Sequence, residues 1–264
     1  KKAIIDSKKN GIVLIAGKGH EEKQIYKNKT FNISDKKIVK KIKLKIKFLT
    51  KHKENYLQNK LLLKKIKPNI KIGNFSGLAI DTRMLKKNNL FLTIKGKNND
   101  GSNFIPIAIK KGAKYIISSQ VLKKYKKKII KVKNEISFLN KFAKLKRQNS
   151  SAKIIAITGS AGKTSLKDLI KNLLQNFDNT HFSPRSFNNH FGVPISLSNL
   201  SASDKYGVFE VGMSKKAEIK NLTKLIQPQI GIITNIGEAH IENFKNINGI
   251  AKAKAEIIDH MQEN

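Results

Sequence analysis

Eight consecutive residues, Thr158 to Ser165, read TGSAGKTS and carry the parts of a phosphate-binding loop. Gly159 and Gly162 let the backbone curl so that successive N–H groups converge on one anion. Lys163 can reach the β- and γ-phosphates of a nucleotide, and the hydroxyl of Thr164 can ligate Mg²⁺. Ser160, Ala161 and Ser165 complete the cradle. The spacing departs from the common GxxxxGK[ST] pattern, because position 157, where that pattern has its first glycine, is Ile. The setting strengthens the match. An apolar strand candidate, Lys153 to Ile157, runs into the loop, and a helix candidate, Leu166 to Gln175, leaves it, so the helix N-terminus would face the anion. A glycine-rich turn that binds nothing is the competing reading.

Further polar residues fall at the ends of later strand candidates, where open α/β sheets bind ligands. FEVGMS puts Glu210 at the end of the strand Tyr206 to Val211, and TNIGEAH puts Asn235 at the end of the strand Ile230 to Ile236 and His240 beyond it. Lys254 follows in AKAKAEI on a helix candidate. A carboxylate and an imidazole beside bound phosphates could hold a second divalent ion. Taken singly, each of these residues is more ordinary. A strand-end Glu is usually on the surface, a lone His is usually structural, and Lys254 is one lysine among many. Their order after Gly-Lys-Thr is what groups them.

The elements that must position this set define an α/β chain. Residues 151–264 alternate near-continuous apolar strands with helix candidates at Lys215 to Ile226 and Asn248 to Met261, the pattern of a mostly parallel sheet covered on both faces. Residues 46–150 read as a smaller α/β unit. It has strands at Leu90 to Ile94 and Lys114 to Ser118, a helix at Asn103 to Lys111 closed by Gly112, and an exposed basic stretch at Lys123 to Lys133. Residues 1–45 hold an apolar strand, Gly11 to Ala16, followed by GKGHE and a lysine-rich run.

Composition narrows the function classes. No run of 18 or more apolar residues exists to span a membrane, cysteine is absent, and no signal peptide is visible, so a cytoplasmic location is expected. The net charge of +36 suggests nucleic acid or an anionic surface. Of the 54 basic residues, however, only Arg83, Arg147 and Arg185 are arginine. The planar fork that reads guanine and grips phosphate is nearly missing. Lysines spread through every segment describe a solvated surface better than a binding stripe.

The motifs together resemble the Mur ligases, the ATP-dependent amide-forming enzymes of peptidoglycan precursor synthesis. The resemblance runs through GLAIDTR (77–83), NLFLTIKG (89–96), DGSNFI (100–105), TGSAGKTS, NNHFGVP (188–194), FEVGMS (209–214), TNIGEAHIENF (234–244) and IAKAKAEI (250–257). It implies that the loop and Lys163 hold ATP, with Thr164 on a first Mg²⁺ and Glu210 and His240 on a second. It implies that Lys254 is the lysine carbamylated in several relatives, and that Asn188 and Asn189 lie near the nucleotide and acceptor. The first domain would cradle the UDP part of the substrate through Asp81, Thr82 and Arg83. The implied substrates are UDP-MurNAc-tripeptide and D-Ala-D-Ala, joined through an acyl phosphate by a protein expected to be monomeric.

Val13 to Val39, VLIAGKGHEEKQIYKNKTFNISDKKIV, is similar to the extreme C-terminal end of the preceding ligase of the same family, where Gly17 and Glu21 would recognise the added amino acid. The chain thus reads as the tail of one ligase joined to the start of the next, with a truncated central ATPase domain, and by itself it is expected not to complete ligation. A generic P-loop NTPase and a basic nucleic-acid-binding protein remain alternative readings.

Overall fold

The structure, a computed structural model, describes residues 23–26, 29–32, 54–96 and 99–262. The chain divides after Glu54 into two units. In the first, β1 (Lys23–Tyr26) and β2 (Lys29–Asn32) pair antiparallel as a hairpin. The strand expected at Gly11 to Ala16 lies outside the described residues.

The second unit contains two parallel sheets. A helix, α1, covers residues 54–66. Next come β3 (Leu78–Ala79), β4 (Leu90–Leu92), a short helix α2 (Ile105–Lys110), β5 (Tyr115–Ser118), β6 (Ile129–Lys131) and helix α3 (Glu135–Gln148). The four strands pair in parallel in the order β3-β4-β5-β6. Leu90, Phe91 and Leu92 are all buried, as a strand covered on both faces requires. Gly112, just past α2, has the left-handed φ of +88° that ends helices.

The second sheet is built from β7 (Lys153–Thr158), α4 (Lys163–Gln175), β8 (Thr180–Phe182), α5 (Gly192–Ser198), β9 (Tyr206–Glu210), α6 (Glu218–Ile226), β10 (Ile230–Ile233) and α7 (Ile247–Ala255). Its strands run parallel in the order β10-β7-β9-β8. Placing β7 between β10 and β9 brings Thr158, Glu210 and Ile233 to one edge, so the segments leaving these strands meet there.

Two expectations are corrected. Lys123 to Lys133 is not exposed throughout: Lys123–Lys128 forms an exposed 3-10 turn, but the chain then enters β6, where Ile130 is buried against the neighbouring core. Lysines flanking a short apolar pair hide an edge strand, a use of charge that natural sheet edges favour. The helix expected over Asn248 to Met261 ends at Ala255 and tightens to a 3-10 turn at Glu256–Ile258.

The two sheets are tied by polar contacts as well as apolar packing. Phe138, Leu139 and Phe142 of α3 pack beneath the first sheet, with Phe142 6.1 Å from Phe75 between ring centres. At the end of α3, Arg147 donates to the carbonyls of Ile226 (2.6 Å), Gln227 (2.9 Å) and Ser150 (3.2 Å) and to Oε1 of Gln262 (3.1 Å). Ile226 and Gln227 close α6, whose last carbonyls lack helical partners, and a cation there also suits the helix dipole. Asn199, just after α5, pairs with Leu78 of β3: its Nδ2 donates to the Leu78 carbonyl and its Oδ1 accepts the Leu78 N–H, both at 3.0 Å.

Candidate functional site

The loop between β7 and α4 is shaped by one glycine and two side chains from the opposite strand end. Gly159 has φ +150°, and a Cβ there would lie 1.8 Å from the Thr234 hydroxyl, so any side chain would expel the segment after β10. Asn235 Oδ1 accepts the N–H groups of Ser160 (3.1 Å) and Ala161 (2.9 Å), and Thr234 Oγ1 donates to the Ala161 carbonyl (2.6 Å). Ser160 Oγ donates to the Gly237 carbonyl and accepts the Gly237 N–H. The first half of the loop is therefore stapled to the chain after β10. Gly162, at φ +77°, caps the start of α4. Lys163 and Thr164 occupy the first turn, where N–H groups have no helical partner and suit an anion. The Lys163 ammonium donates to the Gly159 carbonyl at 2.7 Å, so it sits on the loop itself.

Glu210, at the end of β9, is 1% exposed. Its Oε2 accepts the Thr164 hydroxyl and its Oε1 accepts the Asn188 amide, each at 2.8 Å. Asn188 fits because the residue beside it is Gly212, where a Cβ would stand 2.9 Å from the Asn188 Cγ. Asn189 does a different job: its Oδ1 accepts the N–H groups of Phe191 (3.1 Å) and Gly192 (2.9 Å) as α5 begins.

A pocket of about 400 Å³ is lined by Gly159, Ser160, Lys163, Asn188, Asn189, His240 and Lys254, among others. His240 is half-exposed, has a left-handed φ of +66°, and its Nδ1 stands 3.8 Å from Glu242 Oε1. Lys254, on α7, is buried. Its pKa is pushed down from 10.5 to about 8, first by that burial and then by the like charge of Lys163. Most of the residues expected at the loop are thus gathered around one cavity. Among the described residues no group of three or more His, Cys, Asp or Glu is placed to hold a metal. The Thr164 hydroxyl and the Glu210 carboxylate are hard oxygen donors of the kind Mg²⁺ takes, with its remaining ligands from phosphate and water.

A second pocket, about 550 Å³, opens at the C-terminal ends of β3 and β4. Asp81, Thr82, Arg83, Phe104 and Phe187 are among the residues that line it. The Arg83 guanidinium holds the Asp81 carboxylate in a fork, Nε at 3.0 Å from each oxygen and Nη2 at 2.7 Å from Oδ2. That bond keeps the Asp81 carboxyl below its usual range, with a smaller contribution from Arg185. The Thr82 carbonyl accepts the Lys111 ammonium at 2.9 Å. Gly17 and Glu21 lie outside the described residues.

Sequence reasoning did not find the Asn235 staple, the Asn189 cap, or Phe187 in the second pocket. The asparagines are legible only as polar residues at strand and helix ends. Nothing local marks Phe187, because its neighbours in the pocket lie some hundred positions earlier.

A parallel sheet whose central strand enters a glycine-bent loop and a helix N-terminus defines the P-loop class. Residues 157–264 match the family model described as Mur ligase middle domain, and residues 74–147 match that described as Mur ligase family, catalytic domain. The chain belongs to the Mur ligase family. It is 42% identical over 192 residues to the UDP-N-acetylmuramoyl-tripeptide–D-alanyl-D-alanine ligase of Rickettsia prowazekii, a match covering 72% of this chain and 42% of the relative. It is 35% identical to the Bacillus subtilis enzyme of the same name, over 71% of this chain and 42% of that one. Among solved structures, MurF from Acinetobacter baumannii superposes with a TM-score of 0.66 at 29% identity, over 76% of this chain and 46% of that one. MurF ligase from Thermotoga maritima in complex with ADP gives 0.60 at 31% identity, over 71% and 44%. The chain therefore spans under half the length of these relatives. Among the described residues no helix is long and apolar enough to cross a membrane.

Proposed function

We propose that these residues serve an ATP-dependent amide ligase of peptidoglycan precursor synthesis, which adds D-Ala-D-Ala to UDP-MurNAc-tripeptide through an acyl phosphate. The observation that carries this reading is the contact of Thr164 with Glu210 beside Lys163, in a chain whose named relatives are such ligases. Since the chain spans about 42% of those relatives, its residues are assigned binding and activation rather than the whole reaction.

In the first step the tripeptide carboxylate attacks the γ-phosphorus of ATP and ADP leaves. In the second, the D-Ala-D-Ala amine attacks the acyl carbon and phosphate leaves. Both partners in the first step are anions. Lys163 and the N-terminal amides of α4 would stabilise the charge on the transferring phosphoryl group, where preorganised donors are most effective. Mg²⁺, when bound at Thr164 and Glu210, would neutralise phosphate charge and fix its oxygens. Asp81, Thr82 and Arg83 would hold the UDP end in the second pocket, and fixed placement of both ends makes the encounter nearly unimolecular. A reaction that consumes ATP belongs in the cytoplasm, where we place it.

Lys254 would be carbamylated, its neutral amine adding to CO₂ with loss of one proton. Carbamylation needs the unprotonated amine, and a pKa near 8 leaves a substantial fraction of Lys254 in that form at mildly alkaline pH. The carbamate would place an anion beside Lys163 and His240, where a second cation could sit.

Calorimetry with ATP–Mg²⁺ and with UDP-MurNAc-tripeptide tests the reading. Binding of both, each strengthening the other, is expected. Nucleotide hydrolysis indifferent to the muramoyl peptide would instead mark a generic NTPase. Salt-sensitive nucleic-acid binding without nucleotide affinity would mark a charge-driven binder.

A further inference from the structure

Lys167 has no part in the chemistry above, yet it is only 1% exposed. It lies one helical turn past Lys163 on α4. Its ammonium donates to the Arg185 carbonyl at 2.7 Å, with the half-exposed Asp168 carboxylate 3.7 Å away. A buried charge is costly unless it is bonded, and here the close bond falls on the backbone of a loop. Arg185 takes a φ of +50°, a region that non-glycine residues rarely occupy.

The loop so held, residues 183–190, borders both pockets. Phe187 lines the cavity that contains Arg83, while Asn188, Asn189 and His190 line the one that contains Lys163. Asn188 also reaches the Glu210 carboxylate, and its carbonyl accepts the Gly212 N–H at 2.7 Å. One end of the Lys167 bond therefore belongs to the phosphate-loop helix and the other to the segment joining the two sites.

We propose that Lys167 is a positioning residue that sets the 183–190 loop against the phosphate-loop helix, so that nucleotide in one pocket and the UDP-linked substrate in the other favour each other's binding. The coupling rests on the ligase reading; the mechanical tie does not. Lys167 lies four residues after Lys163 and three after Thr164, so it neighbours each of them on the surface of α4. A phosphate that fixes the first turn therefore fixes the Lys167 amine, and through it the Arg185 carbonyl. Because such coupling is reciprocal, the UDP-linked substrate must raise nucleotide affinity by the same factor.

The test compares the wild-type chain with Lys167→Met and Lys167→Arg in two measurements. In amide hydrogen exchange without ligand, Lys167→Met is expected to speed exchange at Phe187, Asn188 and Gly212 by about tenfold while β7 is unchanged, and Lys167→Arg, which keeps a donor, is expected to restore most of the protection. Unchanged loop exchange overturns the proposal, and so does faster exchange throughout the chain, which would mean a merely structural lysine. In titrations of UDP-MurNAc-tripeptide with and without saturating MgADP, the wild type is expected to gain about fivefold or more in affinity from the nucleotide. Lys167→Met is expected to lose that gain while binding MgADP alone as before. Retention of the gain overturns the coupling. A wild type that binds no muramoyl peptide refutes the ligase reading instead, and the exchange measurement then decides the role of Lys167.

Discussion

Thr164 and Glu210 face each other across 2.8 Å, one on the first turn of α4 and the other at the end of β9. Their sequence separation of 46 is closed by the parallel pairing of β7 with β9, which sets Ile157 opposite Glu210. The contact holds a buried carboxylate beside a phosphate-loop hydroxyl. Glu210→Gln keeps an acceptor for the Asn188 amide and can donate its own amide to the Thr164 hydroxyl, but removes the charge. It is expected to leave the thermal midpoint nearly unchanged while abolishing the Mg²⁺ dependence of ATP binding, as read by melting curves at varied ATP and Mg²⁺. Glu210→Ala strands the Asn188 amide and is expected to cost about 1–3 kcal/mol of stability.

Lys163→Ala removes a charge-assisted donor to the nucleotide phosphates. A contact of that kind contributes about 1.5–3 kcal/mol, so ATP affinity is expected to fall about tenfold to a hundredfold. Calorimetry checks this, and near-native affinity would count against the phosphate-loop assignment.

Two buried lysines give stability a pH dependence of known sign. Lys254 and Lys146 are each pushed down from 10.5 to about 8, chiefly by burial. Between those values the unfolded chain carries protons that the folded chain has released, so stability rises with pH across that window. Chemical denaturation between pH 7.5 and 10.5 is expected to show a steeper rise in the wild type than in Lys254→Met or Lys146→Met. Equal slopes would rule out the shifts.

Arg147→Ala leaves the Ile226 and Gln227 carbonyls without their guanidinium donor. The expected loss is about 2 kcal/mol or more, at roughly 1–3 kcal/mol for each stranded buried acceptor. Arg147→Lys, with one compact ammonium in place of a planar fork, is expected to recover only part of it. Urea unfolding measures both.

The phosphate loop and its flanking elements were legible because three signals coincide there: apolar β-branched residues, glycines at the bend, and a helix-forming run. Glu210 and Asn235 could be placed at strand ends for the same reason. The short elements were not legible. β8 has only three residues, each half-buried, so it shows no clean alternation. The buried run of α5, Gly192 to Ser198, has no polar face from which a helical period could be read. The Phe187 wall of the second pocket escaped sequence reasoning because it comes from the loop after β8, and no local pattern encodes a contact across about a hundred positions. The resemblance to the Mur ligases named Asp81, Thr82 and Arg83, but it gave no hint that Asp81 and Arg83 would bind each other.

Arg147 and Asn199 together have a consequence for how the two sheets are held. One clamps α3 to the ends of α6 and the chain near Gln262, and the other completes the edge of β3. With both in place, the sheet that carries Arg83 and the sheet that carries Lys163 are tied at two separate points. Under the proposed ligase reading, a substrate engaging both cavities would have to match the span between them, and analogues of other length would be discriminated as with a ruler.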